Sequence, residues 1–203
     1  FKATNLHAKM PNYPEKGDKA AANAILDKAG YKKDSNGVRL KAVLDIIPYG
    51  EDWRRAGEYL KQAMGDIGIQ LELRYEDVPT WLKRVYHNYD FEMNVNYFYQ
   101  LPDPVLGVHR HYGTDQIRKG THFVNSSRYS NSKLDALLDS GAGEPDAAKR
   151  TAKYKEIQEI LANDMPVVNL FELEFLVVYN TKLKGVYGSA MGAYGSFREG
   201  YID

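Results

Sequence analysis

The sequence contains no cysteine, which excludes disulfide bonds, thiolate zinc sites and cysteine nucleophiles. It also lacks an excess of charge, because 27 lysines and arginines balance 27 aspartates and glutamates. A neutral chain has no long-range field to attract nucleic acid or an anionic membrane, so we expect no nucleic-acid partner. No apolar run is long enough to span a bilayer. The N-terminal residues of the sequence show no signal-peptide pattern, and a start at Phe1 predicts a mature chain or a fragment.

Catalytic signatures are missing as well. The run Gly188–Gly192 has its serine in the wrong place for a nucleophile elbow, and no glycine-rich phosphate loop follows a strand. The carboxylates are too scattered to nominate an acid–base pair. His109 and His111 are the one suggestive histidine pair, but no carboxylate stands near them at a ligand spacing. We therefore predict no catalytic residue, no metal site and no cofactor.

Tyrosine is unusually frequent, with 16 residues against 7 phenylalanines and 2 tryptophans. Half-buried packing with the hydroxyl in water explains most single tyrosines. The alternative is a ligand cleft lined by polar aromatic side chains. A chain of 203 residues can bury a core of its own, and one domain is the default expectation.

Hydrophobic periodicity predicts three strands that alternate with two helices. A period of two marks the strands, and an apolar stripe at helical spacing marks the helices. This βαβαβ pattern predicts a parallel sheet in which the carboxyl ends of the strands share one edge, where ligands of such sheets bind. The predicted elements are strands Val38–Ile47, Ile69–Tyr75 and Phe91–Tyr97, helix Glu51–Ile67, and a helix capped by Asp77.

Further elements are predicted on either side of this unit. Asp18 is expected to cap a first helix that Gly30 closes, and Ser132 with Asp135 resembles a capping box. A longer helix is predicted from Asp146 to Asn163, followed by strands at Val167–Phe171 and Phe175–Tyr179. The tail from residue 181 onward has no assignable pattern.

The loop after the third predicted strand is the candidate binding site. Aromatic side chains offer a large contact area, and amide, carboxylate and guanidinium groups set the orientation of a ligand. The alternative is a proline-rich connection with aromatic residues packed beneath it. The guanidinium in this set could bind an anionic ligand in a bidentate manner or pair with a local carboxylate. The predicted ligand-binding residues are Tyr97, Tyr99, Gln100, Asp103 and Arg110.

Several segments, in order and at matching spacing, resemble one protein family. Residues 22–31 resemble the family's "KA-x-x-LLDEAGY" helix, and residues 56–73 match a segment centred on Ile67-Gly68-Ile69. Residues 101–104 match its DP loop, and 128–138 resemble "RYSNPEFDALLDEA". Residues 150–166 fit "R-x-x-lY-x-x-aqeil-x-x-dxPxipL". Together these segments resemble the C-terminal lobe of the family 5 solute-binding proteins of ABC importers, the dipeptide, oligopeptide and nickel group.

The resemblance implies an α/β fold: a periplasmic-binding-protein-like lobe with a βαβαβ sheet core, flanking helices and additional C-terminal helices and strands. It implies that residues 1–203 form a single lobe, and that residues 178–203 return toward a missing N-terminal lobe of the same protein. The family is bacterial and periplasmic or otherwise extracytoplasmic. Its two lobes close on a small-molecule solute and deliver it to an ABC permease in the membrane.

The sequence departs from the peptide-binding members at one position. Those members commonly carry an aspartate shortly before the DP dipeptide, which holds the α-amino group of the peptide, whereas the apparent equivalent here is the uncharged Gln100. A neutral amide cannot neutralise a buried ammonium group. An opine-like, sugar-like or other polar solute therefore fits as well as a peptide. The competing classes are a small hydrolase that uses the same cleft, and a structural interaction domain with an exposed apolar patch.

Overall fold

The computed structural model describes residues 17–99, 103–173, 177–186 and 195–203. The chain divides into two compact units, with the boundary between Val167 and Val168. In the described ranges, none of the helices combines the length and apolarity that a bilayer crossing requires.

The first unit alternates helices and strands in the order that the periodicity predicts. A π-helical segment, Lys83–Asn88, continues α3, and a 3₁₀ turn, Thr114–Gln116, follows α4. The helices and strands of this unit are α1 (Lys19–Lys28), β1 (Leu40–Ile46), α2 (Glu51–Gly65), β2 (Ile69–Tyr75), α3 (Val78–Leu82), β3 (Met93–Val95), α4 (Pro104–Tyr112), α5 (Ser132–Ala142) and α6 (Ala147–Asp164).

The three strands form one parallel sheet in the order β2-β1-β3. Leu40 pairs with Ile69 at the start of β1, and Ile46 pairs with both Tyr75 and Val95 at its end. The carboxyl ends of all three strands therefore lie at one edge, as predicted. The βαβαβ core and the α/β class are confirmed, although β3 is shorter than the predicted strand.

Helix α2 packs on the sheet through a glycine. Gly57 is buried, and a Cβ built there would lie 2.7 Å from Ile46 Cδ1, at the carboxyl end of β1. Gly65, in the last turn of the same helix, has nothing within 4 Å of such a Cβ. The two glycines therefore differ in contact while sharing a helical backbone.

We expect the Gly57→Ala and Gly65→Ala variants to change stability in opposite directions. Gly65→Ala should raise the free energy of unfolding by about 0.5–1 kcal/mol, because alanine loses less backbone entropy in a helix. Gly57→Ala should lower it by about 1 kcal/mol, because Ile46 must move in a packed core and that overpacking outweighs the helix propensity. Urea denaturation of both variants measures the difference, and equal effects would contradict this packing.

Aspartate caps confirm three predicted helix starts. Asp18, Asp77 and Asp146 each accept a hydrogen bond from a backbone N–H of the first turn of α1, α3 and α6. The predicted capping box at the start of α5 is wrong by one residue. The Asn131 side chain accepts from the N–H groups of Lys133 and Leu134, so it is the N-cap and Ser132 is the first helical residue.

Apart from the core around the sheet, an apolar cluster joins α4, α5 and α6. Its buried members come from all three helices, and partly buried residues of these helices and of the adjoining loops pack against them. This cluster holds α4, the helix that follows the candidate loop, against the pair α5–α6. The buried members are Tyr112, Leu134, Leu138, Tyr154 and Ile157.

The predicted strand Val167–Phe171 is wrong, and residues 177–179 of the second predicted strand also lack strand structure. A strand exists only when its backbone groups pair with a neighbouring strand. Within the described residues, neither segment has such a partner. The second unit instead contains a short antiparallel pair, β4 (Leu183–Lys184) and β5 (Tyr201–Ile202). C-terminal helices and strands are thus present, but the strands lie elsewhere.

The centre of the sheet carries one buried carboxylate. Asp45, in β1, is fully buried, and its Oδ1 lies 3.2 Å from Arg74 Nε and 3.7 Å from Arg84 Nε. These are ion-pair distances without hydrogen-bond alignment, since both carboxylate oxygens lack a hydrogen-bond partner. Burial raises the pKa of Asp45 to about 6, against the opposing effect of the two arginines.

Candidate functional site

Four aromatic side chains gather at the carboxyl edge of the sheet, and we call them the rim cluster. Tyr97 follows β3 and lies at the centre, with ring centroids 5.7 Å from Tyr49, 5.5 Å from Trp53 and 5.5 Å from Tyr99. Tyr49 follows β1, and Trp53 belongs to the first turn of α2. Trp53 is nearly buried, whereas Tyr49 and Tyr99 are 40% and 47% exposed. The rim cluster therefore has a packed base and an accessible face.

The loop that carries Tyr97 is anchored to the core. Asn96 Nδ2 donates to the hydroxyl of Tyr86 at 2.6 Å, and Asn96 Oδ1 accepts from the backbone N–H of Tyr97 at 2.9 Å. Tyr86 is fully buried, and its burial raises its pKa to about 12, so the hydroxyl stays protonated at neutral pH. A core residue thus fixes the backbone from which the Tyr97 ring projects.

Asp103 occupies a structural position. Its Oδ1 accepts from the N–H of Val105 at 2.9 Å and so caps α4, and Arg150 Nη2 donates to both carboxylate oxygens at 2.9 and 3.1 Å. The hydrogen bond from Val105, together with the Arg150 guanidinium, lowers the pKa of Asp103. The carboxylate is therefore held ionised by contacts within the chain, and it links α4 to α6.

We expect the Arg150→Met variant to lower the free energy of unfolding by about 1–2 kcal/mol. The substitution removes the hydrogen bonds from Arg150 to Asp103 and to Gly141 O, the latter at 3.2 Å. It also removes the guanidinium that lies 5.2 Å from the ring centre of Tyr154. Lys153→Met is the matched control from the same helix, since Lys153 pairs with one carboxylate, Glu144, at 2.9 Å and donates to the carbonyl of Ser140 at 3.0 Å.

Urea denaturation of both variants provides the test. The lysine variant should lose about 0.5 kcal/mol or less, as single partly exposed ion pairs do. Two variants of equal stability would show that the Asp103–Arg150 link does not hold α4 in place.

Arg110 lies in α4 beside a buried histidine. Its Nε is buried without a hydrogen-bond partner, and among the described residues it forms no ion pair. The neighbouring His111 is 2% exposed, and its ring centre lies 3.8 Å from that of Phe98, in the loop between Tyr97 and Tyr99. The candidate loop therefore packs directly on the helix that carries Arg110. Of the two roles that the sequence left open for Arg110, the salt bridge to a local carboxylate is not found among the described residues.

The structure brings part of the predicted site together. Tyr97 and Tyr99 are in ring contact, Asp103 caps α4, and Arg110 lies within that helix. Gln100 lies outside the described residues. Sequence reasoning did not nominate Tyr49 and Trp53 as site residues, although both follow the carboxyl end of β1, at the edge where ligands were expected.

The two histidines that stand close together in the sequence lie in different environments. His109 and His111 lie on one helix, where His109 Nε2 is 3.2 Å from the hydroxyl of Tyr154 and His111 packs on Phe98. Within the described ranges, no three histidine, aspartate or glutamate side chains converge as a metal site would require. These ranges therefore offer no closed set of ligands for a structural metal.

A concave surface of about 510 Å³ lies elsewhere, over α5 and α6. Lys133 and Glu156, which form an ion pair at 2.6 Å, are among the residues that line it. It shares no residue with the rim cluster and has no aromatic side chain in its lining. The rim cluster is thus the better candidate for binding, as one accessible wall and not a closed cavity.

Comparison with known proteins finds a matching family and several related proteins. The family described as bacterial extracellular solute-binding proteins, family 5 middle, matches residues 3–118. Protein XP55 of Streptomyces lividans is 27% identical over 173 residues, which is 83% of this chain and 31% of that protein. Di/tripeptide-binding protein 1 of Pseudomonas aeruginosa is 25% identical over 178 residues, 88% of this chain and 32% of that protein. The chain thus spans about a third of the length of these curated relatives.

Solved structures show the same fold. NikZ from Campylobacter jejuni, in complex with Ni(L-His), has a TM-score of 0.76 at 20% identity, over 91% of this chain and 38% of that one. A periplasmic oligopeptide-binding protein from Thermotoga maritima, bound to mannohexaose, has a TM-score of 0.66 at 25% identity, over 76% of this chain and 31% of that one. The family match covers more than half of the chain and agrees with the parallel sheet and its rim. This chain belongs to the family 5 bacterial extracellular solute-binding proteins.

Proposed function

We propose that this chain is the C-terminal lobe of an extracytoplasmic binding protein that captures a small polar solute for a bacterial ABC importer. The observation that carries the proposal is the rim cluster, an aromatic wall with an accessible face at the carboxyl edge of a parallel sheet. In this proposal residues 1–203 form one lobe, and residues 178–203 return toward the N-terminal lobe of the same protein. The two lobes close over the solute and release it to a membrane permease.

The charges around the rim favour a particular kind of solute. Asp103 already caps α4 and pairs with Arg150, and Gln100 is uncharged, so neither is suited to neutralise an ammonium group. Arg110, by contrast, has a buried Nε without a partner. This combination suits a solute that stacks on aromatic rings and presents hydroxyl or carboxylate groups, as sugar-like and opine-like compounds do. A peptide would have to place its α-amino group elsewhere.

The relatives bind varied solutes, which is compatible with this proposal. A di/tripeptide-binding protein, a structure bound to mannohexaose and a structure bound to Ni(L-His) all resemble this chain. The alternative function, a small hydrolase that uses the same cleft, gains no support from the family or from these relatives, which are binding proteins. We therefore assign no catalysis to the chain.

The proposal is tested on the parent protein that carries both lobes. Mass spectrometry of the solute released by denaturation identifies the natural ligand, and titration calorimetry with that compound, trialanine and mannohexaose measures affinity. We expect one solute per protein, no turnover, and at least 100-fold weaker binding by the 203-residue chain alone, because a closed site needs both walls. Turnover of the bound compound would favour the hydrolase, and tight binding by the isolated chain would contradict two-lobe capture.

A further inference from the structure

Two histidines from distant parts of the chain meet on the surface. His87 lies in the π-helical segment Lys83–Asn88, and His122 lies in the loop between α4 and α5. Their Nε2 atoms are 3.0 Å apart, their ring centres are 5.2 Å apart, and both side chains are exposed.

The core holds this pair in position. Tyr86, which precedes His87, is fully buried, and its ring centre lies 5.8 Å from that of His122. The backbone N–H of Gly120 donates to the carbonyl of Tyr86 at 2.8 Å, so the loop is tied to the helix two residues before His122. The two imidazoles are therefore brought together by buried neighbours and not by flexible surface contacts alone.

We propose that His87 and His122 chelate a late first-row divalent metal ion such as Ni²⁺ or Cu²⁺. Two metal–nitrogen bonds of about 2.05 Å to nitrogens at the observed 3.0 Å separation enclose an angle of about 94°. This angle fits neighbouring positions of a square-planar or octahedral ion, which nickel and copper adopt. The Nε2 atoms face each other with the ring centres 5.2 Å apart, so both imidazoles tilt on binding to aim their lone pairs at the ion. Tetrahedral zinc would need the nitrogens to move apart to about 3.3 Å.

Metal binding replaces the hydrogen bond between the two imidazoles. Without an ion, one neutral imidazole donates its Nε2–H to the Nε2 lone pair of the other. When the ion binds, each ring keeps one proton on Nδ1 and gives the Nε2 lone pair to the metal, so the ring that held its proton on Nε2 passes it to Nδ1 through solvent. No third histidine, aspartate or glutamate of the described residues joins the pair, so water fills the remaining positions. The bound ion then links the loop to the helix through its bonds to both imidazoles.

Titration calorimetry of Ni²⁺ into the untagged 203-residue chain tests the site. We expect one ion per chain, and at least tenfold weaker binding in each of the His87→Gln and His122→Gln variants, because a lone imidazole lacks the chelate advantage. His7→Gln is the matched control, since it removes a histidine outside the described residues, and it should change affinity less than twofold. A hundredfold excess of Ni²⁺ over its dissociation constant should raise the melting temperature of the wild-type chain by about 5 °C.

Electron paramagnetic resonance of the Cu²⁺-loaded wild-type chain gives a second readout that needs no variant. Hyperfine coupling to two imidazole nitrogens supports the site. The proposal is overturned if the chain binds no Ni²⁺, if binding survives His87→Gln unchanged, or if His7→Gln weakens it as strongly as the other variants. Thermal unfolding without metal shows that the variants are folded, which we expect because both side chains are exposed.

Discussion

On acidification from pH 7 to pH 5, the His111→Phe variant is expected to gain about 2 kcal/mol in free energy of unfolding relative to the wild-type chain. His111 is 2% exposed, and neither ring nitrogen has a hydrogen-bond partner. Burial, with a smaller contribution from the positive charge of Arg110, lowers the pKa of His111 to about 3. The native structure therefore holds this imidazole neutral.

The sign of the effect follows from proton binding. The folded-state pKa lies below the value of 6.5 in the unfolded chain, so the unfolded state takes up a proton first as the pH falls. The stability due to neutral His111 is present above pH 6.5 and is lost toward pH 3. Between pH 7 and pH 5 this loss amounts to about 2 kcal/mol. Phenylalanine keeps the ring that packs on Phe98 and cannot titrate.

Urea denaturation of the wild-type chain and the variant at several pH values gives this difference directly. Asp45 acts in the opposite sense, because its raised pKa of about 6 makes its contribution to stability greater at acid pH. The contributions of Asp45 and of every other shared group cancel when His111→Phe is compared with the wild-type chain. In a separate variant, Asp45→Asn should steepen the loss of stability on acidification. Parallel pH profiles for the wild type and His111→Phe would show that the buried imidazole does not control this behaviour.

Replacing Tyr97 by alanine should weaken solute binding by the parent protein by about 10- to 100-fold, equivalent to about 1.4–2.7 kcal/mol. Tyr97 touches the other three members of the rim cluster, so its loss removes a stacking surface and also loosens Tyr49 and Tyr99. Aromatic rings at the centre of a site contribute most because they bury a large area at little entropic cost.

Calorimetry with the solute identified by mass spectrometry measures this loss. Tyr59→Ala is the matched control, since Tyr59 lies on α2 with 71% of its surface exposed. The affinity of this variant for the solute should change less than twofold. Tyr97→Phe should retain most of the affinity if the ring itself is the contact. Equal affinities for Tyr97→Ala and Tyr59→Ala would remove the rim cluster from the binding site.

Much of the sheet could be predicted because its signals are local. The alternation of Ile69–Tyr75 gave the bounds of β2 directly, and the aspartates at 18, 77 and 146 marked helix starts that the structure confirms. Parallel pairing followed from the order of elements. The strand predicted at Val167–Phe171 is wrong for the opposite reason, and so is the described part, residues 177–179, of the strand predicted after it. An apolar run forms a strand only if a partner strand is available, and a single sequence does not say whether one is.

The site was harder to predict because its contacts join distant residues. The Asp103–Arg150 ion pair spans 47 positions, and the His87–His122 pair spans 35. Sequence spacing instead drew attention to His109 and His111, two residues apart, which the helix places in different environments. Tyr49 and Trp53 could have been found, since the end of β1 was recognised as part of the same edge. The ligand-binding role of Gln100 stays a prediction, because this residue lies outside the described ranges.

Hydrogen–deuterium exchange of the parent protein, with and without its co-purifying solute, tests the rim as a binding surface most directly. If the carboxyl edge of the sheet is one wall of the site, saturation with solute should slow exchange at least tenfold at residues 49–53 and 96–99. Exchange along 152–163 of α6 should stay unchanged. Protection along α6 with no change at the rim would place the solute elsewhere and contradict the proposed function of this lobe.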